Sequence, residues 1–163
     1  NAGGLLGRHS LPEMPEAFFH DVMNVNVLTT FLCSQAVAPG MIARGSGAIV
    51  NLTSLAAHNG GGPGASVYAA AKAAVLALTK AYAKELAPHG IRVNAVSPGL
   101  IGGTPFHKTF TSPEAFAATV KTIPLGREGT AEEVAHAVAF LASPAASFVN
   151  GEISGVNGGM YFH

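Results

Sequence analysis

The chain of 163 residues is long enough for one domain with a real core, and 48% of its residues are hydrophobic against 11% charged. Nine basic and nine acidic side chains cancel, so no basic field exists to draw nucleic acid or an anionic membrane surface. A single cysteine, Cys33, excludes an internal disulfide framework and fits a reducing cytosol, so a cytoplasmic location is expected. No uninterrupted apolar run approaches the ~20 residues of a membrane span, and NAGGLLGRHS shows no charged-then-apolar leader pattern.

In chain order, Asn1 to Gly4 reads as the end of a strand and the turn beyond it, and Ser10 to Pro15 as a loop. From Glu16 to Ala43 apolar residues, among them Phe18, Val22, Val25, Phe31 and Leu32, recur at helical spacing. Pro39 and Gly40 are expected to bend or break this helix before Met41–Arg44 finish it. Asn26 stands in its middle, where Asn is a poor helix residue; it is either exposed or capping, or buried with partners for its amide. Asn24 falls on a different face.

AIVNLTS (Ala48 to Ser54) is β-branched and apolar and predicts a buried strand ending at Ser54. A glycine-rich turn from His58 to Gly64 leads into an alanine-rich helix that carries Tyr68 and Lys72 four residues apart, on one face. Such spacing also occurs by chance on solvated helices. Where it is functional, the ammonium favours the phenolate, lowering a pKa that would otherwise sit near ~10 and making Tyr68 a proton donor or acceptor near neutral pH.

Residues 87–90 stop the helix, with Gly90 suited to a C-terminal cap, and Ile91 to Gly99 predicts the next strand. Strand, helix and strand without a hairpin signal argue for a right-handed parallel crossover. Ligands bind such sheets beyond the carboxyl ends of the strands, where Ser54 and Pro98–Gly99 both fall. Residues 105–123 are expected to be a mobile segment plus a short helix begun near Ser112. Thr130 and Glu133 form a capping box for helix 131–142, and Gly151 to Val156 is a last short strand.

Other chemistries find little support. The seven histidines lack metal-site spacing with a third ligand, so no metal is expected. Asp21 is the only aspartate and Ser54 is not in a G-x-S-x-G elbow, which argues against a Ser–His–Asp triad. His58 reads as a loop residue near Ser54. The Gly60–Gly64 turn lacks both G-x-G-x-x-G and a Walker lysine.

The strand ending in Ser54, the glycine-rich turn and the Tyr68/Lys72 helix together resemble the active-site segment of the short-chain dehydrogenase/reductase family. N-A-G at the start, V-N-V around Asn26, P-G-L-I-G-G-T after the second strand and the VNGG tail are similar to further family motifs. The resemblance implies an α/β fold, a Rossmann-like doubly wound parallel sheet, and a single domain over 1–163. It also implies NAD or NADP as cofactor, a small-molecule alcohol or ketone as substrate, and no nucleic acid or membrane partner. Tyr68 would transfer the proton, Lys72 lower its pKa and hold the ribose, Ser54 orient the substrate oxygen, and Asn26 hold a relay water through its backbone. Asn1, Gly3, Pro98, Gly99, Ile101 and Thr104 would border the cofactor. Thr104 falls one residue later than the family spacing, and Asn157 stands where the family usually has Asp.

The resemblance covers the family pattern from N-A-G onward, without the first strand–turn–helix that receives the pyrophosphate. Two readings follow. In one, the chain is part of an oxidoreductase interrupted upstream; in the other, it is a catalytically silent remnant that persists through oligomerisation. A homo-oligomer, dimer or tetramer, is expected to form through the Tyr/Lys helix, where Ala69, Ala70, Ala73 and Ala74 permit close approach.

Overall fold

The computed structural model describes residues 4, 7–104 and 109–162. The Asn1 and Gly3 assignments therefore lie outside the described residues. Three parallel strands, β1 (Gly47–Leu52), β2 (Ile91–Pro98) and β3 (Ile153–Val156), stand in the order β1-β2-β3. Register runs from Gly47 opposite Ile91 to Leu52 opposite Val96, and from Ala95 opposite Ile153 to Pro98 opposite Val156. The fold is α/β and Rossmann-like, with a parallel sheet, as the crossover pattern predicts.

Helices α1 (Glu16–Met23), α2 (Thr29–Arg44), α3 (Ala56–Asn59), α4 (Ser66–Leu86), α5 (Pro113–Val120) and α6 (Ala131–Ala142) surround the sheet. The pleat separates two layers. Ile91 and Val93 of β2 join Ala83 and Leu86 of α4 in one buried cluster, with Ala38 and Met41 of α2 against it. Arg92, between them in sequence, points the other way and donates to the carbonyls of Leu141 (2.7 Å) and Ser143 (3.1 Å) at the end of α6. Alternate residues of a strand face opposite sides, so α4 and α6 cover opposite faces. A guanidinium on the last carbonyls of α6 also suits the negative end of that helix.

Two asparagines, Asn94 buried and Asn150 exposed, stitch strands to loops. Asn94 donates to the Val149 carbonyl and accepts from the Glu152 amide, while Asn150 accepts from the Val93 amide and donates to the Ala83 carbonyl, each at 2.9 Å. These bonds use groups that a strand as short as β3 leaves unpaired. Gly90 has φ 71°, and a Cβ there would collide with the Gly45 carbonyl, so glycine serves both the turn and the close crossing. The capping box is present: the Thr130 hydroxyl accepts from Glu133 N at 3.2 Å and the Glu133 carboxylate accepts from Thr130 N at 2.9 Å. Ser112 caps α5 as expected.

Two expectations are corrected. Helix α2 runs through Pro39 without interruption to Arg44, where Gly45, left-handed at φ 68°, ends it. The irregularity comes earlier, as a π-turn over Asn24–Leu28 between α1 and α2. The continuous helical stretch Glu16–Arg44, with a mean hydropathy of 1.4 over its best window, is also long and apolar enough to cross a membrane by length and composition. One face of it, including Val22 and Asn26, is buried in the fold, and Val22 packs in a cluster with Val67 and Ala71 of α4. Finally, Ala69 is buried within its own chain, so it offers no surface to a second copy; Ala70 is exposed and Ala73 and Ala74 are half-buried.

Candidate active site

A cleft of about 400 Å³ opens at the carboxyl ends of β1 and β2, and Ser54, Tyr68, Lys72, Pro98, Gly99, Ile101 and Thr104 all line it. Parallel pairing continues past the end of β1, with Thr53 N donating to the Val96 carbonyl and Leu55 N to the Pro98 carbonyl, each at 2.9 Å. Ser54 is thus held in extended backbone beside the end of β2, with its hydroxyl accepting from Ala56 N at 3.2 Å where α3 begins. Tyr68 and Lys72 stand on the first two turns of α4, on the face toward this strand end.

Ser54 and Tyr68 line the cleft together, and the Ser54 side chain favours the ionised phenol. Lys72 is 5% exposed; its ammonium donates to the Leu52 carbonyl at 3.1 Å and lies 5.7 Å from the centre of the Tyr68 ring. Burial pushes the lysine pKa down to about 8. Burial also pushes the Tyr68 phenol upward, and the Ser54 side chain opposes this only in part. This corrects the sequence expectation of a lowered tyrosine pKa. Desolvation disfavours the phenolate, and the lysine spends its hydrogen bond on the Leu52 carbonyl beside it.

Asn26 does not line the cleft. It is fully buried, and its amide clamps Gly4: Oδ1 accepts from Gly4 N at 3.0 Å, and Nδ2 donates to Gly4 O at 2.8 Å and Val22 O at 2.9 Å. The π-turn changes how the carbonyls around Asn26 are paired. Thr30 Oγ1 donates to the Asn26 carbonyl at 2.8 Å and Thr29 Oγ1 to the Val25 carbonyl at 2.8 Å. Asn24, by contrast, is exposed. Thr104 donates its hydroxyl to the Ile101 carbonyl at 3.3 Å, closing the turn that follows Pro98–Gly99. Gly99 must stay bare for a different reason, since a Cβ there would sit 2.9 Å from Asn157 of the tail. Among the described residues, no three His, Cys, Asp or Glu side chains cluster.

Sequence reading missed Arg8 and the Leu52 carbonyl. Arg8 carries no motif: it is a single arginine in a loop, and only the folded chain brings it to the cleft, where Nη1 donates to Pro63 O at 2.8 Å and Nε to Phe110 O at 3.1 Å. The Leu52 carbonyl is invisible to any side-chain motif.

The family model described as enoyl-(acyl carrier protein) reductase matches residues 1–161. The chain belongs to the short-chain dehydrogenase/reductase family. Among family members, a 3-oxoacyl-(acyl-carrier-protein) reductase of Vibrio cholerae is 42% identical over 161 residues, which are 99% of this chain and 65% of that protein. A galactitol 2-dehydrogenase (L-tagatose-forming) of Cereibacter sphaeroides is 44% identical over 160 residues, 98% of this chain and 63% of its own length. The crystal structure of a gluconate 5-dehydrogenase from Burkholderia cenocepacia in complex with NADP and tartrate superposes with a TM-score of 0.92 at 38% identity, covering 98% of this chain and 62% of that one. The chain thus spans somewhat less than two thirds of the length of these family members. Their differing names show that the family assignment leaves the substrate open.

Proposed function

We propose that the chain carries the proton-transfer machinery of an NAD(P)-dependent short-chain dehydrogenase/reductase acting on a small-molecule alcohol or its ketone. The observation that carries this reading is the convergence of Ser54, Tyr68 and the buried Lys72 ammonium on one cleft at the carboxyl edge of a parallel sheet. A phenol whose pKa is raised stays protonated at neutral pH, which suits donation to a carbonyl oxygen during reduction. Ser54, lining the same cleft, would hold the same oxygen. Lys72, with a pKa near 8, exchanges protons close to neutral pH and restores the tyrosine. Asn26 acts from behind as a positioning residue, through its clamp on Gly4 and its backbone carbonyl.

The donor set suits a dinucleotide. Among the described residues no carboxylate lines the cleft to repel phosphates, and Lys72 and Arg8 supply positive charge there. Tyr68, Lys72, Pro98, Gly99, Ile101 and Thr104 would border the cofactor, which when bound supplies or receives hydride. NADP in the gluconate 5-dehydrogenase complex and the reductase and dehydrogenase names of the relatives support the same chemistry here.

The test is NAD(P)H oxidation with a panel of ketones. Tyr68→Phe is expected to lose about 100-fold or more in kcat, as removal of a general acid does, with little change in KM, and Lys72→Ala to lose activity as well. Turnover unaffected by Tyr68→Phe would refute the assignment. The silent-scaffold alternative, a remnant persisting through helix-mediated oligomerisation, predicts no turnover and no saturable cofactor binding by calorimetry.

A further inference from the structure

Among the described residues, two cations of the cleft have different commitments. Lys72 is buried and bound to the Leu52 carbonyl, deep beside Tyr68. Arg8 is exposed at the cleft wall and, among the described residues, donates to backbone carbonyls, of Pro63 in the turn before α4 and of Phe110 beyond the second strand. A guanidinium has five N–H donors in a planar fork, and these two bonds use two of them. Among the described residues Arg8 takes part in no ion pair, and no Asp or Glu lines the cleft. Arg127, by comparison, is neutralised by Glu133 at the start of α6.

The arginine is held in place as well as left without a counter-ion. Gly64 has φ 73°, and a Cβ there would meet Arg8 Cβ at 3.0 Å, while His9 N donates to Gly64 O at 3.2 Å. Glycine at 64 therefore lets the Arg8 backbone lie against the turn that leads to Tyr68. Neutral carbonyls fix one edge of the guanidinium without cancelling its charge. The remaining N–H groups form the fork that binds carboxylate or phosphate oxygens in pairs.

We infer that Arg8 is a specificity residue that reads an oxyanion on the substrate, so that the preferred substrate is an oxo or hydroxy compound bearing a carboxylate or phosphate. This rests on the reading of the cleft as the substrate site and names the substrate class it takes. A guanidinium–oxyanion contact contributes on the order of 10- to 100-fold in affinity. Sequence gave no sign of it because a lone loop arginine has no pattern.

The test uses binding, so that it stands apart from catalysis. Acetoacetate is compared with methyl acetoacetate, and dihydroxyacetone phosphate with dihydroxyacetone, by calorimetric titration of the whole chain. The acid pair and the phosphate pair distinguish the two anion sources. Expected is about tenfold or tighter binding of at least one anion over its neutral partner, weakened by added salt, lost in Arg8→Gln and partly kept in Arg8→Lys. Equal binding of acid and ester together with equal binding of phosphate and alcohol would overturn the inference. So would a preference that survives Arg8→Gln, or no binding of either anion at millimolar concentration. If Arg8 serves only to tie Pro63 to Phe110, Arg8→Gln weakens neutral and anionic probes alike, which also overturns it. Should Arg8→Gln fail to fold, Arg8→Lys and the salt dependence decide. Tyr68→Phe is expected to leave the anion preference intact, so turnover persisting in that variant would defeat the proposed function without touching Arg8.

Discussion

Lys72 concentrates the physical tension of the site. Its ordinary pKa of 10.5 falls to about 8 because the ammonium is buried, and a single carbonyl hydrogen bond does not replace its lost hydration. Between about pH 8 and 10.5 the unfolded chain holds a proton that the folded chain has released, so stability rises with pH across that window. Below pH 8 both states are protonated and the full cost is present. The gap between 10.5 and about 8 corresponds to about 3 kcal/mol as an upper bound. Lys72→Met is therefore expected to flatten the denaturant midpoint between pH 8 and 10, where wild type climbs. Parallel profiles for the two proteins would show that the lysine is hydrated after all. Tyr68 moves in the opposite sense, since its raised pKa lowers stability only above pH 10, outside the comparison. At this scale the sequence expectation brings Tyr68 and Lys72 together, as they stand in the cleft, but misjudges the balance of forces on them. Spacing places Tyr68 near Lys72, whereas the degree of burial that decides both pKa values comes from β1 and the Leu52 carbonyl.

The π-turn at Asn24–Leu28 is the element-scale counterpart. The buried Asn26 amide inside this turn is satisfied by both backbone groups of Gly4 and by the Val22 carbonyl. Asn26→Leu, similar in volume, removes three hydrogen bonds and strands both backbone groups of Gly4. A loss of about 1–3 kcal/mol in unfolding free energy is expected, with faster amide exchange at Gly4. A variant as stable as wild type, with Gly4 exchange unchanged, would show that the clamp is dispensable. Regular elements were legible because their signals are local: apolar periodicity for α4, the Thr130–Glu133 box for α6, β-branched runs for β1 and β2. The π-turn was not, since the polar residues that produce it resemble a surface patch until Gly4, 22 residues away, supplies the partner. Pro39 misled for the converse reason. It lies on an exposed part of α2, where one missing hydrogen bond costs too little to end a helix whose inner face packs on the sheet.

At the scale of the whole molecule, two apolar surfaces stay open. Among the described residues, strand β1 is an end strand of the sheet, with no charge and no proline in Gly47–Leu52. Such an edge presents unpaired backbone groups to any other strand. The second surface is a groove between α2 and α4, where Phe31 is 38% and Ile42 39% exposed, with Tyr82 and Leu86 on the opposite wall. A formal net charge of zero provides no general repulsion to keep copies apart. The chain is therefore expected to self-associate at micromolar concentration, with a light-scattering mass above 16.5 kDa. The two surfaces make different predictions. Association through the groove yields a defined species that Phe31→Glu with Ile42→Glu returns to monomer, because two carboxylates would be buried without partners. Edge pairing yields a broad mass distribution, indifferent to those changes and suppressed by Val50→Pro, which puts a ring and no N–H into the edge. The groove is the favoured surface: its aromatic and aliphatic walls bury apolar area on contact, whereas an edge gains mainly backbone hydrogen bonds that water already satisfies. A monomer at all concentrations would contradict both, and would mean that the exposed faces of α2 are tolerated in water as they stand.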